Sequence, residues 1–309
     1  SLNMGASGIA PSFASSYGSG LIKKRNAILL FGFFVILGAI ILGRNVAVTL
    51  GKGLLPREVI SFDVVLVILA AATLSLFLAN ILRIPQSTSQ VTVGAIVGAG
   101  LYFRQINLNM LCFKILPMWV ILPLLSYFLT LLFYRVIYPP KRNNFHIYEK
   151  IFANERKMKI SALVVSAYVS FAIGTNNVAN AVGPLSGAGL VSIGTGLLAI
   201  APFFGIGAWL IGNGPLETAG KEIVPLGLIS GILVSFVTAT LLILASIFGI
   251  PQSLVQLNLA SIFAISCLKN GHKCTWDHKI ARKTLFVWII TPLVSIATSY
   301  ILALVFLKG

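Results

Sequence analysis

An all-α polytopic membrane protein, folded from two repeats of inverted topology with broken or re-entrant helices, is what the sequence predicts. Three observations carry that expectation. Hydrophobic residues make up 57% of the 309 and charged ones 10%, whereas a soluble domain is about a quarter charged. Apolar stretches long enough to cross a bilayer recur along the whole chain. The two halves of the chain also repeat each other.

Taken in order, the expected spans are Asn26–Gly43, Val59–Leu82, Leu111–Tyr138, Ile160–Val182, Thr195–Ile211, Leu226–Phe248 and Thr284–Leu307. Two shorter stretches, Thr88–Phe103 and Gln252–Leu268, open on polar residues, as re-entrant or broken segments do. The net charge of +16 comes from Lys and Arg gathered in short connections. That is the pattern of cytoplasmic loops, so no nucleic acid is expected as a partner. Cys112, Cys267 and Cys274 supply no disulfide framework, and Cys274 with His272 and His278 lacks a second spaced ligand pair for a metal. No His lies in an apolar stretch and neither Cys112 nor Cys267 has a nearby base, which argues against an intramembrane enzyme. No cofactor is implied.

The repeat is read from position. Gly5 aligns with Gly174 and, without a gap, Pro56 with Pro225, so that Thr49–Pro56 and Thr218–Pro225 share the pattern TxGKxxxP. Further on, IPQSTSQ (Ile84–Gln90) pairs with IPQSLVQ (Ile250–Gln256). The basic Lys23–Arg25 falls opposite the uncharged Ser192–Gly194, so equivalent loops lie on opposite sides of the membrane if basic loops are cytoplasmic. The repeats are then inverted: residues 1–138, a basic cytoplasmic linker 139–158, and residues 159–309, with the C-terminus outside. A helix is expected before Gly174 and only four residues precede Gly5. The first repeat's leading helix, about a dozen residues or more, is therefore expected to precede Ser1.

Polar residues interrupt the apolar pattern at two pairs of related places: NMGASGIAPS (Asn3–Ser12) with GTNNVANA (Gly174–Ala181), and PQSTSQ with PQSLVQ. Polar groups inside a bilayer mark helix contacts or a functional cavity. Pro followed by Ser or Thr suits a helix start, where unpaired N–H groups and the positive end of the helix dipole favour an anion. Two such starts, at Ser87–Thr88 and Ser253, would grip a small oxyanion without a formal charge.

These segments resemble the inorganic phosphate transporter (PiT) family. IPQSTSQVTVGAIVGAG (Ile84–Gly100) is similar to its P-x-S-T-T-H element, GTNNVANAVGPLSGAGLVS (Gly174–Ser192) to its GANDVANA signature, and ETAGKEIVPL (Glu217–Leu226) to its TxGxxI stretch. The resemblance implies a transporter whose motif Asn, Asp, Ser and Thr residues bind phosphate and coupling sodium. The departures are specific. The family's motif aspartate falls on Asn177 and on Gly8, the first-repeat asparagines fall on Ser7 and Pro11, and the motif His falls on Gln90 and Gln256.

Without carboxylates, sodium coupling loses its usual anionic ligands. A site made only of donors favours sulfate, which has no proton to give, over monohydrogen phosphate, which does. The Asn3–Gly20 start is also similar to a sulfate permease branch of the family. The expectation is thus a sulfate importer of the bacterial inner membrane, coupled to protons and working by alternating access. The substrate ligands expected are Ser7, Gly8, Ser87, Thr88, Asn176, Asn177, Asn180 and Ser253, with Glu217 and Asp63 as candidates for the proton. Expected partners are sulfate or a related oxyanion, the coupling proton rather than sodium, the lipid bilayer and, optionally, a second copy of the chain in a homodimer. The rivals are a phosphate symporter and, further off, an anion channel.

Overall fold

A computed structural model describes residues 1–81, 86–138, 142, 145–146, 149, 154–212, 227–271 and 279–307. Among these residues the secondary structure is helical and contains no strand. The elements are α1 (Leu2–Gly18), α2 (Lys24–Leu42), α3 (Arg44–Val48), a π-helical turn (Thr49–Gly53), α4 (Phe62–Ile81) and α5 (Thr88–Phe103). A second π-helical turn (Met110–Ile115) leads into α6 (Leu116–Ile137). Then follow α7 (Glu155–Gly187), α8 (Ile193–Ile200), α9 (Pro202–Leu210), α10 (Leu228–Ile247), α11 (Leu254–Asn270) and α12 (Lys279–Phe306). Among the described residues seven segments are long and apolar enough to cross a membrane.

The expected segments are recovered with one change. The stretch Thr195–Ile211 is two helices, because Pro202 sits at the first position of α9 and cannot continue α8. The asparagine segment lies within the unbroken α7, whose 33 residues span about 50 Å. α7 starts where the Asn154 side chain accepts from the Lys157 amide. The turns after α1 and after α7 fall at equivalent positions, Gly20 (φ 69°) and Gly189 (φ 72°), a backbone conformation that glycine adopts without steric cost.

The outer surface is apolar, and polar side chains are buried among an apolar core. Leu29, Phe33, Phe77, Phe113, Phe128 and Trp209 are exposed, whereas Asn176, Asn180, Gln90, Gln252, Ser126 and Ser295 are buried. In lipid this is the favourable arrangement, because the solvent is itself apolar and unpaired polar groups must find partners within the protein. α5 is buried from Thr88 to Gly100, enclosed by α4, α7 and α12.

Contacts between the halves are reciprocal. A Cβ on Gly5 would lie 2.1 Å from the Phe204 carbonyl oxygen, and one on Gly174 2.1 Å from that of Val35. A Cβ on Gly38 would lie 2.0 Å from the Phe171 carbonyl oxygen, and one on Gly207 2.1 Å from that of Leu2. In the repeat alignment Val35 pairs with Phe204 and Leu2 with Phe171, so each contact is the other with its halves exchanged. The serines follow the same rule. Ser295 Oγ donates to the Val91 carbonyl (2.6 Å), and its equivalent Ser126 donates to the Leu257 carbonyl (3.0 Å). Each half thus clamps the short helix of the other.

Because backbones touch at these glycines, even a methyl group forces helices apart, at a cost of about 1–3 kcal/mol. Gly38→Ala and Gly207→Ala are expected to lower the thermal unfolding midpoint in detergent by similar amounts. Gly194→Ala, with nothing within 4 Å of its added Cβ, is expected to leave that midpoint unchanged.

Candidate functional site

The two short helices begin in the same way. Ser87 precedes α5 with φ −86° and ψ 115°, and its hydroxyl accepts from the Gln90 amide at 3.2 Å. Ser253 precedes α11 with φ −87° and ψ 111°, and accepts from the Gln256 amide at 3.2 Å. In each case capping uses the hydroxyl oxygen as acceptor and leaves the O–H free to donate. The starts converge: Ser89 Oγ, in the first turn of α5, donates to the Gln252 carbonyl (3.0 Å), one residue before Ser253.

Asn176 ties this junction to α7. Its Nδ2 donates to the Ser246 hydroxyl (2.9 Å) and the Ile250 carbonyl (3.0 Å), and its Oδ1 accepts from the Gln252 amide (3.1 Å). Asn180, one turn on and on the same face, donates from Nδ2 to Ser89 Oγ (3.2 Å) and Thr88 Oγ1 (3.3 Å). Asn177 differs from both. It is buried, yet no side-chain hydrogen bond engages it, and its Oδ1 has no partner. The side-chain oxygens of Asn180, Gln90, Gln252 and Gln256 are likewise buried without partners. Buried polar groups are rarely left so, and a water or ion commonly completes them.

The loop between α10 and α11 has its own supports. Gly249 (φ 67°) lies where a Cβ would be 2.9 Å from Thr49 Oγ1 and 3.0 Å from the Asn45 carbonyl. Asn45 Nδ2 donates to the Ile247 carbonyl (2.8 Å) and Trp119 Nε1 to the Pro251 carbonyl (2.8 Å). Residues of the first half therefore hold the helix start of the second. No carboxylate or cation makes a hydrogen bond in this network, and no group of three or more His, Cys, Asp or Glu is assembled among the described residues. The polarity comes from amides, hydroxyls and the N–H ends of two helices, an arrangement that can hold an anion without charge.

Of the residues singled out from sequence, Ser87, Thr88, Asn176, Asn180 and Ser253 come together here, while Asn177 stands between the two tied asparagines on α7. Ser7 does not join them: it is exposed on α1, and its hydroxyl donates to the Met4 carbonyl (3.0 Å). Gly8 packs against the ring of Phe31, 3.0 Å from its Cβ position, and against Ile173. Asp63 is exposed in the first turn of α4, where a carboxylate favours the helix dipole. Glu217 lies outside the described residues. Ser89, Ser246 and Gln252 were not singled out. Their signal was weak: a serine inside an already polar run, a lone serine in an apolar helix, and a backbone amide.

The model of the phosphate transporter family matches residues 4–299 of the chain. The sulfate permease CysP of Bacillus subtilis is 40% identical over 313 residues, covering 100% of this chain and 85% of that protein. The sodium-dependent phosphate transporter 1-B of Danio rerio is 27% identical over 154 residues, covering 46% of this chain and 23% of that protein. Among solved structures, a sodium-dependent phosphate transporter superposes with a TM-score of 0.84 at 23% identity, over 98% of this chain and 95% of that one.

The network separates two asparagines that stand side by side. Asn176→Ala strands the Ile250 carbonyl and the Gln252 amide in the interior, and is expected to cost about 2–4 kcal/mol of stability. Asn177→Ala strands nothing and is expected to cost under about 1 kcal/mol. Thermal unfolding of the two purified variants checks this. The family model over residues 4–299 and the 40% identical relative place the chain in the phosphate transporter family.

Proposed function

We propose that the chain imports sulfate by proton symport, with alternating access between two inverted repeats, across the bacterial inner membrane. The observation that carries this reading is the junction of two capped helix starts, tied to α7 by Asn176 and Asn180 and built without a carboxylate. A dianion that enters such a site meets the Ser87 and Ser253 hydroxyls and first-turn N–H groups. A carboxylate at Asn177 would add repulsion at this point, and its absence favours an oxyanion that carries no proton. The 40% identity to a sulfate permease supports the same choice.

In this reading Asn177, Asn180, Thr88, Ser87 and Ser253 contact the anion, while Asn176 positions the loop that presents Ser253. A two-fold relation between the repeats is supported by the exchanged contacts, Gly5 with Phe204 against Gly174 with Val35 and Ser126 with Leu257 against Ser295 with Val91, and its inversion by the placement of basic loops. Linker 139–158 faces the cytoplasm and the C-terminus faces outward. Asp63 stands exposed at a helix start and Glu217 lies outside the described residues, and both are candidates for the coupling proton.

A second reading, phosphate symport, draws on the unpartnered amide oxygens of Asn177, Asn180, Gln90 and Gln256, which could accept the phosphate proton. Uptake of radiolabelled sulfate into proteoliposomes under an imposed pH gradient decides between them. Accumulation of sulfate, with unlabelled sulfate competing better than phosphate, is expected. Stronger competition by phosphate overturns the sulfate reading.

A further inference from the structure

The end of the bundle where α2 finishes, opposite Lys23–Arg25, carries a second concentration of polar chemistry. A cleft of about 450 Å3 opens there, lined by Lys52, Pro56, Arg104, Gln105, Ile106 and Asn107 among others. One wall is the π-helical turn Thr49–Gly53, a form that recurs at functional sites. The other is the segment after α5. The walls are tied together by the Asn107 amide, which donates to the Leu54 carbonyl at 2.9 Å.

Three features of this cleft call for a ligand. Both cations are exposed, and no hydrogen bond or ion pair engages either among the described residues. No Asp or Glu lines the cleft. Arg104, at the end of α5, holds φ 55° and ψ 29°, and among the described residues it alone adopts positive φ without being glycine. An arginine there costs about 1 kcal/mol relative to the glycine that such helix ends favour. Strain of this kind persists where the side chain has a use.

We propose that the Lys52–Arg104 cleft is a second anion site, a vestibule that captures a small divalent oxyanion from water before it reaches the buried helix starts. The proposal rests on the reading of the chain as an oxyanion transporter. Two uncompensated cations over a low-dielectric wall raise the local concentration of a dianion, and salt screens the effect.

The test places a reporter in the cleft, independent of transport. In proteoliposomes, Gln105→Cys is introduced with Cys112→Ser and Cys274→Ser. Its modification by the anionic thiol reagent methanethiosulfonate ethylsulfonate is timed against that by the cationic ethylammonium analogue. Sodium sulfate is expected to slow the anionic reagent, compared with sodium gluconate of equal ionic strength. Adding Lys52→Gln or Arg104→Gln is expected to abolish that protection and to slow the anionic reagent about tenfold relative to the cationic one. Lys52→Arg with Arg104→Lys retains both effects. Equal rates and equal protection in all backgrounds overturn the proposal. Transport supplies a second readout: for whichever oxyanion the unmodified protein carries, the Gln variants raise KM at low ionic strength, leave kcat unchanged, and lose the KM difference at high salt. A protein that carries phosphate and not sulfate overturns the sulfate reading, while the reporter still decides the cleft.

Discussion

The hydrogen bonds of Asn176 are the constraint on which the rest of the site depends. One amide holds Ser246 of α10, the Ile250 carbonyl and the Gln252 amide. It thereby fixes the last residues before Ser253 against the middle of α7. Ser89 then joins the Gln252 carbonyl, so the start of α5 is held to the start of α11. In a bilayer these groups have no water to fall back on, and breaking one bond leaves its partner stranded. The polar junction is therefore held in place, and Asn177, on the same helix as its two tied neighbours, is left unengaged among the described residues.

The same logic explains why two short helices can begin deep in the protein. A helix start exposes N–H groups that lipid cannot satisfy. Serine caps satisfy one N–H at each start, and burial by neighbouring helices excludes lipid from the remainder. Ser295 and Ser299 grip the backbone of α5, while Ser126 and Thr130 grip α11 and its Ser261. Each short helix is clamped by the long helix that ends the other half. In the proposed function an anion that enters between them meets donors whose orientation was set when the chain folded, which lowers the reorganisation it must cause.

Much of this was legible in the chain. The start of α5 at Thr88, its end at Phe103 and the Ser253 cap follow from Pro-Gln-Ser and the apolar runs after it. Asn176 and Asn180 share a face by helical spacing alone. What could not be read was which asparagine is tied and which is free. That depends on Ser246 and Ile250, more than 60 residues away in the chain. The resemblance assigned one role to the whole motif, and tertiary contacts divide it. Ser7 shows the converse limit: the repeat alignment set it beside Asn176, yet its hydroxyl turns back to the Met4 carbonyl. A duplicated position keeps its backbone place more faithfully than its side-chain partners.

The central claim is that a neutral Asn177 admits an anion with no proton to give. The most direct measurement is the apparent affinity for sulfate in proteoliposomes of Asn177→Asp, with unfolding temperature as a check that the variant is folded. A restored carboxylate beside the two helix starts should weaken sulfate affinity about tenfold or more at pH 7, and relieve the defect as pH falls and the carboxyl takes up a proton. Sulfate affinity equal to that of the unmodified protein at neutral pH would contradict the account.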